Sequence, residues 1–289
     1  GPQRGSTAAS IRGRGGLPAG LSCRFGESAS AAGWTTGSSR LRCSTPASAV
    51  SGWVGVHLSS FHGAVSSGGS FYYHGPLVVS RLTPPLGPER GGTRVGLLGG
   101  VFKDAYTLRC LFGSSPSAVL ARYVDESQVE CSAPLHSAGA AAVRLSMNGQ
   151  QYSEAGSSAF TYRRALWVGA ASPPVVASEG GTPVTVYGGG FSSVSESLGY
   201  LLCRIGGVVR RARRASDSAL VCNSTRGAAG SARVEVTVNG REYTRGGARI
   251  EVASVRVVDV HPWAGPQRGS TAASIRGRGG LPAGLSCRF

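Results

Sequence analysis

Residues 265–289 repeat residues 1–25 letter for letter, from GPQRGSTAAS through LSCRF. Identity over 25 consecutive positions does not arise by chance, so the chain reads as one period of 264 residues followed by the opening of the next. Self-similarity at a fixed spacing is the mark of a modular array. A polymer of near-identical modules serves as a scaffold more often than as a catalyst, and that bounds the functional question.

Weaker repeats divide the period into three modules of about 88 residues. Each opens with an apolar run ending at proline: Leu77–Pro84, Leu166–Pro173 and Val255–Pro262. A tight turn follows, as Gly91-Gly92-Thr93, Gly180-Gly181-Thr182 and Gly269-Ser270-Thr271, the last a copy of Gly5-Ser6-Thr7. A cysteine then precedes an apolar residue and glycine, at Cys23-Arg24-Phe25-Gly26, Cys110-Leu111-Phe112-Gly113 and Cys203-Arg204-Ile205-Gly206. About twenty residues later comes a second cysteine, Cys43, Cys131 or Cys222, followed in two modules by Pro46 or Pro134.

Period-two alternation closes each unit. Val143, Leu145 and Met147 lead into Asn148-Gly149, and Val234, Val236 and Val238 into Asn239-Gly240. Val54, Val56 and Leu58 lead towards His62-Gly63. Alternation running into Asn-Gly predicts a β-hairpin, because that dipeptide tolerates the positive φ angles of a type I′ turn. With 45 glycines and 15 prolines there is no room for a long amphipathic helix. The expected fold is all-β: a sandwich, three times over. Expected boundaries are 1–75, 76–164 and 165–253, with 254–289 starting a further module. No strand like Val255–Pro262 precedes Gly1, so the first module is expected to lack its opening strand, which the tail would supply by continuing into a full module or by completing a neighbouring copy.

In this order the landmarks resemble the IPT/TIG family of immunoglobulin-like domains. The middle module matches nearly throughout: Pro84, Gly91-Gly92-Thr93, Gly99-Gly100-Val101-Phe102, Cys110 to Gly113, Cys131, Pro134, Asn148-Gly149 and Phe160-Thr161-Tyr162. The third has Ile205 for the usual Phe and no proline after Cys222; the first has Ser6 for the second glycine and His62 for Asn. The resemblance implies tandem immunoglobulin-like sandwiches. For function it implies little, since similar domains serve in receptors, surface proteins, transcription factors and starch-acting enzymes.

The seven cysteines resolve as Cys23–Cys43, Cys110–Cys131 and Cys203–Cys222, with Cys287, the copy of Cys23, left for a partner in the next repeat. Reduced core thiols are the competing reading; a zinc site lacks a Cys-x-x-Cys or a nearby histidine pair. Disulfides imply an oxidising, extracellular or cell-surface setting. Asn223-Ser224-Thr225 is an N-glycosylation sequon beside Cys222.

Net charge is +16, carried by arginine apart from Lys103 and spread through all three modules. Nucleic-acid binders concentrate such charge on one surface, so no nucleic-acid partner is expected, and the arginine excess reads as coding bias, with acidic glycans as a second reading. The one cluster, Arg210, Arg211, Arg213 and Arg214, reads as a solvated loop or an anion-binding patch. No run reaches the roughly 18–20 apolar residues of a membrane helix. His57, His62, His74, His136 and His261 are scattered, no carboxylate pair recurs, and the glycine runs lack the Lys-Ser/Thr of a phosphate loop. The reading is therefore a non-enzymatic structural protein without cofactor or metal, forming a glycosylated filament by head-to-tail self-association. The alternative is a spacer in a receptor or adhesion ectodomain.

Overall fold

The computed structural model describes residues 1–13, 17–28, 31–36, 39–60, 62–114, 118–154, 158–254 and 256–278. They form two compact units, Gly1–Pro85 with Arg94–Thr161 and Leu86–Thr93 with Tyr162–Phe289. The expectation of an all-β chain holds: among the described residues the one helix is the single turn α1 (Ser193–Ser197).

In the first unit β1 (Ala8–Arg12), β2 (Ser22–Phe25), β3 (Ala31–Thr35), β4 (Arg40–Ser44), β5 (Gly52–Ser60) and β6 (Gly63–Tyr73) lie in the order β1-β4-β3-β2-β5-β6. After β7 (Val78–Thr83) comes the short β8 (Leu86–Pro88), part of the second unit. Then β9 (Arg94–Gly100), β10 (Arg109–Phe112), β11 (Val119–Asp125), β12 (Gln128–Ser132), β13 (Gly139–Ser146) and β14 (Ala159–Arg163) complete the order β7-β9-β12-β11-β10-β13-β14. β11 pairs with β10 at Cys110↔Val119 and with β12 at Ala121↔Cys131, so one strand carries the hydrogen bonding from one layer of the sandwich to the other.

The second unit holds β15 (Trp167–Ser172), β16 (Val175–Ala177), β17 (Pro183–Gly189), β18 (Leu202–Ile205), β19 (Val208–Arg211), β20 (Arg213–Arg214), β21 (Ala219–Asn223), β22 (Gly230–Thr237) and β23 (Arg249–Ala253). They form two sheets, β15-β17-β21-β20 and β16-β23-β22-β18-β19. Finally β24 (Arg256–His261) and β25 (Ser274–Arg278) pair with each other.

Inward positions follow the alternation that a half-buried strand requires. In β12 they are Val129 and Cys131, in β13 Ala141, Val143 and Leu145, in β21 Leu220 and Cys222, and in β22 Ala232, Val234 and Val236. Phe102 and Phe191, two residues beyond the strand-closing Gly-Gly, are buried as aromatic plugs.

The opening ladder recurs with one register. Thr83 pairs with Gly96, Ser172 with Thr185, and His261 with Ser274. Each ladder then carries a bulge at the same place, between Val79 and Arg81, Val168 and Ala170, and Val257 and Asp259. Past the bulge the partner strand must be glycine. A Cβ on Gly99 would sit 1.9 Å from the Val78 carbonyl oxygen, and one on Gly188 2.1 Å from that of Trp167.

The expected type I′ hairpins at Asn-Gly are not what forms. Gly149 and Gly240 take positive φ (both 71°), but Asn148 and Asn239 do not. Instead each Asn Oδ1 accepts backbone N–H groups: from Gln150 and Gln151 at 2.9 and 3.1 Å, and from Arg241 and Glu242 at 3.0 and 3.2 Å. These are side-chain-capped Asx turns that open a longer loop, a local bond that competes with the two-residue hairpin. Two-residue connections form elsewhere, where Ser60 pairs with Gly63, Asp125 with Gln128 and Ile205 with Val208; in the last, Gly206 and Gly207 both take positive φ (57° and 91°).

Candidate functional site

Each module carries a covalent staple. Cys23 joins Cys43, Cys110 joins Cys131 and Cys203 joins Cys222, with Cα–Cα distances of 6.3, 6.4 and 6.5 Å. All six are inward residues, and in the third module the bond ties β18 of one sheet to β21 of the other. Closing a loop of about twenty residues contributes roughly 3 kcal/mol in the chain-entropy model, a large share for so small a core. Cys287 lies outside the described residues.

Asn223 ends β21 and is exposed, while Ser224 behind it is buried and its Oγ accepts the Thr182 N–H at 3.0 Å. The sequon asparagine is thus held outward on a fixed strand end. Of the arginine cluster, Arg210, Arg211 and Arg213 are exposed on β19 and β20; Arg214 is engaged with Asp217 and with the Phe191 carbonyl. Among the described residues no group of three or more His, Cys, Asp or Glu could hold a metal ion, and no helix is long and apolar enough to cross a membrane.

Sequence reasoning missed the contacts made by the threonines of the Gly5-Ser6-Thr7 and Gly91-Gly92-Thr93 turns. In the first unit the Thr7 hydroxyl donates to Gln151 Oε1 at 3.0 Å and accepts from Asn148 Nδ2 at 3.2 Å. In the second unit the Thr93 hydroxyl donates to Glu242 Oε2 at 3.0 Å and accepts from Asn239 Nδ2 at 3.4 Å. Each Asn amide also donates to that same Gln or Glu. The turn threonine, buried in both cases, therefore locks into the Asn-Gly loop about 140 residues downstream. A signal was present: Asn-Gly is followed, three residues after the Asn, by a residue with a terminal carbonyl or carboxylate, Gln151 or Glu242.

Beside these contacts lie equivalent clefts of unequal size. In the first unit Arg4, His74, Leu77, Val79, Tyr152 and Glu154 border a cleft of about 480 Å³. Its counterpart in the second unit, bordered by Arg90, Arg163, Arg164 and Tyr243, is closed to about 20 Å³. His74 is buried in the larger one, and its loss of hydration holds the imidazole below its usual pKa.

β1 ends its sheet. β4 lies on one side (Ser10↔Arg42, Ile11↔Leu41), and among the described residues no strand pairs with the other. β9 and β17, in the equivalent places, are flanked on that side by β7 and β15. Leu97 and Val186 are completely buried as a result, whereas the corresponding Ile11 is only half-buried.

A family model for the IPT/TIG domain matches residues 77–162 and again 168–249, together more than half of the chain. No curated protein sequence matches. Among solved structures, the plexin A4 full extracellular region is similar at a TM-score of 0.40 and 15% identity, over 90% of this chain and 29% of that one. FdeC, an Escherichia coli adhesin, is similar at 0.27 and 14%, over 88% of each chain, and a domain tandem from titin at 0.24 and 9%, over 86% and 92%. The chain thus spans less than a third of the plexin region it matches. With the stapled sandwich described in three copies and the family model matched in two, the chain belongs to the IPT/TIG domain family.

Proposed function

We propose that the chain is a structural subunit of an extracellular or cell-surface glycoprotein filament assembled from tandem immunoglobulin-like modules. One observation carries the reading. The 25 residues that recur after 264 include β25, and β24 pairs with it in the register and with the bulge of the opening ladders inside the chain. The sequence that follows His261 is therefore laid down as the start of another module, head to tail. Head-to-tail contacts that do not close on themselves generate filaments.

Three disulfides and an outward sequon support an oxidising, glycosylating compartment. The absence of a recurring acid/base pair in the sequence leaves scaffolding as the role. Module contacts through Thr7 and Thr93 would serve equally in a spacer of a membrane-anchored receptor or adhesion ectodomain. Negative-stain images of native material, labelled with an antibody to residues 94–160, separate the two. Labelled filaments are expected; dispersed particles recovered only with detergent would favour the spacer.

A further inference from the structure

The outward face of β22 and β23 carries a like-charge pair that the other two modules lack at the same place. Arg233 stands directly opposite Arg249. The Arg233 carbonyl accepts from the Gly206 N–H, just past β18, while the next residue, Val234, donates its N–H to Ala248. Arg233 and Arg249 are therefore a non-hydrogen-bonded pair, the kind at which side chains approach most closely. Like charges directly opposite each other destabilise a ladder. In the first module Gly55 faces Ser70 here, and in the second Ala142 holds the place of Arg233. Among the described residues neither arginine forms an ion pair. Arg249 Nη1 is steadied by Ser231 Oγ at 3.0 Å.

The pair flanks a cleft. Arg233, Arg249, Glu235 and residues 246–248 line a space of about 180 Å³ within the third module. Gly246 and Gly247 both take positive φ (75° and 119°), a bend that glycine permits. The amides of Gly246, Gly247 and Ala248 donate to no backbone carbonyl among the described residues. Successive free N–H groups in such a turn attract anions. Glu235 is already held by Arg204 Nε at 2.8 Å, and Arg204 lies over the Tyr243 ring, 4.2 Å from its centroid. Glu251, two residues along β23 and opposite Ser231, pairs with neither arginine of the cleft. The charge facing the cleft is thus positive.

We propose that this cleft binds a tetrahedral oxyanion, a sulfate or phosphate group, clamped by Arg233 and Arg249 and met by the loop amides. An anion between the two guanidiniums replaces their repulsion with attraction. Each guanidinium offers a planar fork of donors suited to such oxygens. A tetrahedral group has enough acceptor oxygens for both forks and the amides, which a carboxylate lacks. The arginines and both glycines are exposed, so the group can arrive as a free ion or as an ester on an acidic glycan. Arg210, Arg211 and Arg213, exposed on β19 and β20, border none of this cleft. The site is set by one module's own fold and stands apart from the filament reading.

The test follows amide resonances of the full-length protein in chloride buffer of low, matched ionic strength, because salt screens exposed charges. The probes are inorganic sulfate, inorganic phosphate, glucose 6-sulfate and uncharged glucose. The three anions should shift Gly246, Gly247 and Ala248 saturably, and glucose should leave them in place. Arg233→Gln and Arg249→Gln should each weaken binding about tenfold, the loss expected for a charge-assisted hydrogen bond. Each should keep or exceed the wild-type thermal midpoint, since it also removes a like-charge neighbour. Arg210→Gln/Arg211→Gln should leave the affinity within about twofold. Tighter binding of glucose 6-sulfate than of inorganic sulfate assigns the site to a glycan ester; equal affinity assigns it to the free ion. The site is overturned if the three amides show no saturable shift, or if Arg233→Gln/Arg249→Gln leaves that shift unchanged.

Discussion

Asn148 and Asn239 each hold two roles that only one side-chain type can combine. The carbonyl oxygen caps two backbone amides while the amide nitrogen reaches the turn threonine and the adjacent Gln151 or Glu242. Asn→Asp keeps the first role and destroys the second. At Asn239 it also sets a carboxylate against Glu242, whereas at Asn148 the neighbour is the neutral Gln151. Asn239→Asp should therefore lower stability by about 2–3 kcal/mol and Asn148→Asp by about 1 kcal/mol, read as shifts in urea midpoint at pH 7. The difference should vanish below about pH 4, where carboxylates ordinarily protonate; a difference that persists in acid would argue against charge repulsion. His74 gives the opposite kind of pH dependence from a carboxylate pair. Burial lowers its folded-state pKa below the unfolded value of about 6.5. Its contribution is intact above that pH and is lost as pH falls through the folded pKa, since the unfolded chain then binds the extra proton. Denaturation at pH 7.5 and pH 5 should show this slope, and His74→Gln should flatten it.

At the scale of the element, the opening strands depend on glycines that meet a carbonyl oxygen almost in contact. Gly99→Ala and Gly188→Ala should each cost about 3 kcal/mol, because the clash is with backbone and no side chain can swing aside. Gly100→Ala, with open space around its Cβ and no positive φ, should stay within about 0.5 kcal/mol of wild type. Thermal midpoints of the three variants check this, and equal effects would refute the close-approach argument. The inward alternation of Val143, Leu145 and Met147 and of Val234, Val236 and Val238 was legible in the sequence, because it follows from local patterning. The Asx turns were not. Asn-Gly serves a hairpin and a capped loop equally well, and the choice is made by a threonine more than 140 residues away.

For the whole molecule, the modules share one construction: two layers, one staple and a glycine-terminated opening ladder. Because the three disulfides close loops of similar separation (20, 21 and 19 residues), replacing either member of any pair should cost a similar amount, about 3 kcal/mol. Urea unfolding of Cys43→Ser, Cys131→Ser and Cys222→Ser measures it, and one silent replacement would show that its module is held by other means. Intact mass should rise by two hydrogens per bridge on reduction and fall on enzymatic removal of a glycan from Asn223. The measurement closest to the heart of the account is cryo-electron microscopy of native filaments carrying this chain. It should show a line of stapled sandwiches repeating every three beads, with glycan density on one bead of each three at Asn223. Particles that never extend beyond one period would contradict it.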